Sequence, residues 1–199
     1  MTTTRVDAGV GAGGGVGAGG GVGAGDVLLT AAQIRARIAE LAAEIEHDFA
    51  GGDLVLVGAL ATCTALLADL SRALRLAHAL DLIELEPFGA AAPGPAPSPA
   101  RILEDIDLDL RGRDVLLVDC VADTGLTLAC LLRHLKGLAP RSLAAAVLLD
   151  RPYRRLVHDL PLRYVGFAVA DGQLAGYGLA GGSGRQLRHL PDIHLCKLI

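Results

Sequence analysis

VLLVDCVADTGLTLA, residues 115–129, decides the fold. Four apolar residues run up to Asp119, and so short and apolar a run reads as a strand buried on both faces of a parallel sheet. Asp123-Thr124-Gly125 then makes a turn, and Thr124 to Leu138 reads as a helix. An acid at the tip of a buried strand has lost solvation unless it faces a cleft, where a ligand hydroxyl or a cation satisfies it. Gly125 permits a tight loop. The N–H groups of that loop and of the helix start, with the hydroxyls of Thr124 and Thr127, form a cradle suited to a phosphate. A hydroxyl-holding acid one short loop from a phosphate cradle suits a ribose 5-phosphate. Asp or Thr before a helix also serves as a plain N-cap, so the rest of the chain has to carry the reading.

Working outward, residues 1–25 are a Gly/Ala/Val tract whose ordering would cost backbone entropy that no side chain repays, so a disordered tail is expected there, with one domain over 26–199. Thr30 and Gln33 form a capping-box pattern, and Ile34, Ile38, Leu41, Ile45 and Phe49 recur at helical spacing over 31–49. Strands are expected at 53–60, 80–85, 142–150 and 163–169, and a helix over Thr62 to Leu76. The Pro/Ala/Gly-rich stretch 87–100 reads as a loop. Strands alternating with helices predict a three-layer α/β fold, a mostly parallel core sheet flanked by helices with a small C-terminal hood. Ligands then bind at the carboxyl ends of the strands, after Leu60, Asp119, Asp150 and Val169.

The net charge of −4 advertises no basic surface for nucleic acid. The longest apolar run, Leu54 to Ala68, is shorter than the roughly 20 residues of a membrane-spanning helix, so a cytoplasmic protein without membrane contact is expected. Cys63, Cys120, Cys130 and Cys196 fit neither a CxxC pair nor a disulfide framework and read as reduced thiols. Cys63 and Cys120 fall at the ends of neighbouring strands, which raises redox or metal chemistry as a minor idea, two ligands being too few for a structural zinc site.

The opening string resembles the phosphoribosyl-pyrophosphate signature of the type I phosphoribosyltransferases: four apolar residues, two acids, two apolar residues, Asp-Thr-Gly, any residue, Thr. The blocks GGDLVLVGAL, LLRHLKGLAPRSLAAAVLLDRPYRR, RYVGFAVADGQLAGYGLAG and RQLRHLPDI follow in the order of the hypoxanthine-guanine branch of that family, over about residues 30 to 195. The resemblance implies transfer of a phosphoribosyl group to hypoxanthine or guanine with release of pyrophosphate, as in purine salvage, with magnesium as cofactor and a dimer or tetramer as the assembly. It implies that Asp119 holds a ribose hydroxyl and faces the metal, and that Asp123 moves the purine proton. Cys120, Thr124, Gly125, Leu126 and Thr127 complete the phosphoribosyl site. Arg151, where the family has a lysine, meets the purine 6-oxo group, with Gln173 and Leu174 at the stacking position. Leu60, Ala61, Thr62 and Arg188 form the pyrophosphate side.

The chain departs from the family where the chemistry lies. Cys120 replaces the second acid, Ala61 and Thr62 replace Lys-Gly, Ala180 stands where a magnesium-binding Asp is usual, and 87–100 lacks the Ser-Tyr pair of the lid. Each lost charge-assisted contact in a closed site costs about 2–4 kcal/mol of transition-state stabilisation. Two readings follow: a divergent enzyme, or a catalytically degenerate relative that binds a nucleotide or phosphoribosyl ligand in a regulatory role.

Overall fold

The apolar runs of the sequence become the centre of a twisted sheet because residues without polar side chains can be covered on both faces. The computed structural model describes residues 4–6, 25–60, 62–86, 101–180 and 187–196. In chain order the strands are β1 (Thr4–Val6), β2 (Asp26–Leu29), β3 (Leu54–Leu60), β4 (His78–Glu86), β5 (Arg101–Glu104), β6 (Asp114–Ala122), β7 (Ser142–Asp150), β8 (Leu162–Val169), β9 (Gln173–Gly176), β10 (Leu179–Ala180) and β11 (Ile193–Cys196). The helices are α1 (Ala31–Asp48), α2 (Thr64–Ala73) and α3 (Leu126–Gly137), with a 3-10 turn at Pro152–Arg154.

The main sheet has the order β1-β8-β7-β6-β3-β4-β5. Its pairings are parallel except for β5, which returns antiparallel along β4. Period-2 alternation sorts the strand residues into two cores. Leu54, Leu56, Leu116, Val118 and Cys120 pack towards α1 and α2. Val55, Val57, Val115 and Leu117 pack with Leu128, Leu131 and Leu135 of α3. The capping box starts α1: Thr30 Oγ1 accepts from Gln33 N–H, and Gln33 Oε1 accepts from Thr30 N–H at 2.9 Å. Arg37, buried on α1, donates to the carbonyls of Val165 at 2.9 Å and Gly166 at 3.1 Å, tying the helix to β8.

Three expectations change. Thr4–Val6, assigned to the tail, pairs in parallel with Phe167–Val169 as β1. These residues precede the glycine repeat, and two of the three are β-branched, which suits an edge strand. Asp119 does not end its strand. Its Oδ1 takes the N–H of Cys120, and pairing with β7 continues to Ala122↔Asp150. The pairing of β3 with β6 stops at Gly58↔Val118, so the sheet splits at the tips of these two strands. The C-terminal strands form a second, antiparallel sheet of order β10-β9-β11-β2. The expected hood is therefore only partly C-terminal, because β2 comes from the other end of the domain. The Pro/Ala/Gly-rich loop 87–100 and Ala61 lie outside the described residues.

Candidate active site

The split between β3 and β6 opens a cavity of about 400 Å³ at the carboxyl ends of the strands. Asp119, Asp123, Thr124, Gly125 and Thr127 line it on one side, and Leu60, Thr62, Glu84 and Arg188 on the other. Leu128 and Leu131 of α3 and Leu85 of β4 add apolar wall.

Asp119 sits on the α3 side of β6 and is only 7% exposed. Its Oδ1 accepts from Cys120 N–H at 2.7 Å and from the Thr62 hydroxyl at 3.1 Å. Burial outweighs these bonds and pushes the carboxyl up to about 6. Cys120, one residue on, points to the opposite face by strand alternation and lies wholly in the core with Cys63. It does not line the cavity. Burial, then the charge of Asp119, pushes the Cys63 thiol up to about 12 and the Cys120 thiol up as well. Both remain protonated at neutral pH, which argues against nucleophilic or metal chemistry there.

The Asp123–Gly125 loop is held from behind. The Thr124 carbonyl accepts from Leu156 N–H at 2.9 Å and Val157 N–H at 3.2 Å. Gly125 has φ +84°, and a Cβ there would lie 2.9 Å from Arg155 Cδ, so the turn demands glycine twice over. Arg155 forms an ion pair with Asp150 beneath the loop. The N-cap of α3 makes no side-chain cap bond among the described residues, which leaves N–H groups of its first turn beyond Leu126 available to a ligand. Leu126 begins the helix, and its N–H reaches only the Thr124 hydroxyl, at 3.4 Å.

Asp123 faces two guanidinium groups: Arg154 Nε at 3.0 Å from Oδ1 and Arg151 Nη1 at 3.7 Å from Oδ2. Arg151 is buried and donates through Nη2 to the carbonyl of Gly172, which brings it beside Gln173 and Leu174 at the start of β9. Its Nε has no hydrogen bond among the described residues. None of Arg151, Gln173 and Leu174 lines the cavity itself; Arg151 adjoins it at Asp123. Arg188 reaches the cavity from the second sheet, with Nη1 donating to the carbonyl of Gly178. A Cβ on Gly178 would lie 2.9 Å from the Thr62 carbonyl, so this turn rests on the segment after β3. Two neighbours escaped sequence reasoning. Glu84 enters because β3 and β4 pair with Leu60 opposite Glu84, a register no local pattern discloses. Arg154 enters because its side chain reaches back from the 3-10 turn to Asp123, a contact that no local pattern assigns to it over Arg155.

Among the described residues no three His, Cys, Asp or Glu side chains cluster as a metal site. Magnesium does not require such a cage, since it takes one or two carboxylates, waters and substrate phosphates. The carboxylates of Asp119 and Asp123 on one cavity are hard oxygen donors of the kind it prefers, so the residues present fit a magnesium ion that arrives with a diphosphate.

Residues 25–177 match the phosphoribosyl transferase domain. The chain is 37% identical over 170 residues to the hypoxanthine phosphoribosyltransferase of Escherichia coli K12, covering 84% of this chain and 93% of that one. It is 41% identical over 159 residues to the hypoxanthine-guanine phosphoribosyltransferase of Mycobacterium avium, covering 77% of each. A crystal structure of a hypoxanthine-guanine phosphoribosyltransferase from Bacillus anthracis superposes with a TM-score of 0.78 at 33% identity, covering 86% of this chain and 98% of that one. No helix among the described residues is long and apolar enough to cross a membrane. With a split parallel sheet, an acid at the split and a glycine-turned cradle beside it, the chain belongs to the phosphoribosyl transferase domain family.

Proposed function

We propose that this protein is a purine phosphoribosyltransferase of purine salvage, converting hypoxanthine or guanine and phosphoribosyl pyrophosphate into the nucleoside monophosphate and pyrophosphate. The observation that carries the reading is the convergence of Asp119 and the Asp123–Thr127 loop on one wall of a single cavity, with Arg188 across it. The loop amides and the hydroxyls of Thr124 and Thr127 hold the 5-phosphate. Asp119 accepts a ribose hydroxyl, which fixes the sugar in the split. The bond from C1 to the pyrophosphate oxygen breaks with its electrons going to pyrophosphate, and a purine nitrogen supplies the pair for the new bond to C1. Positive charge builds on the sugar meanwhile. Asp123 takes up the ring proton that the purine gives up, while Arg154 and Arg151 keep its carboxylate in place. Asp119 would hold a magnesium ion arriving with the substrate, and that ion would supply charge neutralisation for the departing pyrophosphate. Arg151 donates to the 6-oxo group, and Gln173 and Leu174 lie along the base.

The family names of the relatives favour this reading over the regulatory alternative, for which no separate observation speaks. We place the protein in the cytoplasm as a homo-oligomer, as the resemblance implies. Nucleotide formation from phosphoribosyl pyrophosphate, magnesium and either base tests the assignment. Wild type is expected to turn over, and Asp123→Asn to fall by roughly a hundredfold or more, the usual scale for a positioned acid–base group. Equal rates in the two proteins would remove Asp123 from the mechanism. No rate in either, with monophosphate still bound, would leave a ligand-binding protein.

A further inference from the structure

The match to the phosphoribosyl transferase domain begins at residue 25, so β1 lies outside what this chain shares with the family. It is nonetheless placed towards the site. Thr4, Arg5 and Val6 pair in parallel with Phe167, Ala168 and Val169, the last residues of β8, and so run towards the carboxyl end of the sheet. On the other flank of β8, pairing with β7 ends at Asp150↔Ala168. Among the described residues Val169 therefore has Val6 as its one strand neighbour. The loop 170–172 follows Val169 directly and anchors both guanidinium groups that face Asp123. The Gly172 carbonyl accepts from the buried Arg151, and Asp171 Oδ1 lies 3.5 Å from Arg154 Nη1. Asp171 Oδ1 also takes the Gly172 N–H at 2.9 Å. Across the loop, Gly172 lies so close to Leu195 of β11 that a Cβ there would collide with it.

The loop is thus set from two directions, by its packing on β11 and by the strand end it leaves. A strand end without a neighbour frays, and what hangs from it moves with it. We propose that β1 is a positioning element of the purine side: by pairing with the end of β8 it fixes the loop 170–172, and through it the reach of Arg151 and Arg154 to Asp123. The inference rests on the phosphoribosyltransferase reading and deepens it, adding to the purine side a segment from outside the family domain. The phosphoribosyl cradle is held separately, by the N–H groups of Leu156 and Val157 on the Thr124 carbonyl, so the two sides of the site should respond differently to the loss of β1. Both hydrophobic cores are built around the central strands and the three helices, so the domain should fold without it.

Deletion of residues 2–6 removes the strand. The double variant Arg5→Pro/Val6→Pro keeps the chain length: neighbouring strand residues aim their N–H groups at opposite flanks, so one of the two prolines takes away a donor that faces β8. Arg5→Val keeps the strand and changes only a side chain. In both strand-breaking forms KM for hypoxanthine should rise about three- to tenfold, the scale of one weakened hydrogen bond, with KM for phosphoribosyl pyrophosphate within about twofold of wild type. Calorimetry reads the same split without turnover. Inosine 5′-monophosphate should bind these forms more weakly by a similar factor, and ribose 5-phosphate, which uses the cradle alone, should bind them as it binds wild type. Arg5→Val should match wild type throughout. An unchanged KM for hypoxanthine, a parallel rise of both KM values, or a loss in Arg5→Val as large as in the proline form would overturn the positioning role and leave the proposed function standing. Wild type that turns nothing over and binds inosine 5′-monophosphate no better than ribose 5-phosphate would overturn both.

Discussion

Asp119 shows what the site demands of a single residue. A carboxyl held at about 6 by burial is harder to ionise in the folded chain than in the unfolded one, where it titrates near 3.8. Between those values the native state binds more protons than the unfolded state, so this group's contribution falls as pH rises from about 4 to about 6 and stays low above. A gap of roughly two pH units corresponds to about 3 kcal/mol. Asp119→Asn keeps an oxygen for the Cys120 N–H and carries no charge. It is therefore expected to be more stable than wild type by about 1–3 kcal/mol above pH 6, with the difference vanishing below pH 4, in denaturant melts run across that range. A difference that does not vary with pH would mean that the burial of Asp119 is not what limits its ionisation. The same variant should lose affinity for ribose 5-phosphate, which is the usual exchange of stability for function at a site.

Among the elements, the Asp123–Gly125 turn is the most exacting. Ala at Gly125 would adopt a left-handed conformation and bring its Cβ to 3.0 Å from Leu160 Cδ1 and 3.1 Å from the Val157 carbonyl. Left-handed strain alone costs about 1–2 kcal/mol. Gly125→Ala should lower the unfolding free energy by at least that much and weaken ribose 5-phosphate binding, whereas Gly112→Ala, also at positive φ but in open space, should cost stability and leave binding unchanged. Equal loss of binding in the two variants would separate the cradle from the phosphate. This turn, α1 and the central strands were all legible in the sequence because each is written in a local pattern: a glycine after Asp-Thr, a capping box with apolar residues at helical spacing, apolar runs that need two covered faces. Thr4–Val6, Glu84 and Arg154 were not, because their roles depend on pairing register or on a side chain reaching across a loop. Cys120 could have been placed in the core beforehand, since alternation puts it opposite Asp119.

At the scale of the molecule, the site is shared between two sheets that meet at α2. The second sheet closes the chain on itself, with β2 beside β11, and its Tyr177-Gly178 turn carries the carbonyl that holds Arg188 over the cavity. Tyr177 anchors that turn. It takes a left-handed φ of 48°, its N–H donates to the Leu190 carbonyl at 2.7 Å, and its phenol donates to Asp69 of α2 at 2.7 Å. Burial, reinforced by that bond to Asp69, keeps the phenol protonated well above its ordinary range. Tyr177→Phe preserves the ring and removes only the link between sheet and helix. A hydrogen bond to a charged group is worth about 1.5–3 kcal/mol, and Asp69 keeps Arg72 at 2.6 Å as a second partner, so a loss near the lower end is expected in chemical denaturation. The kinetic consequence distinguishes an anchor from a packing residue. Under the proposed function Arg188, which lines the cavity, meets pyrophosphate, while Arg151, tied to the Gly172 carbonyl and not to Tyr177, meets the purine. Loosening the turn should therefore raise KM for phosphoribosyl pyrophosphate several-fold and leave KM for the purine within about twofold. If both constants rose together, the two sheets would be acting as one rigid body through contacts other than Tyr177 and Asp69.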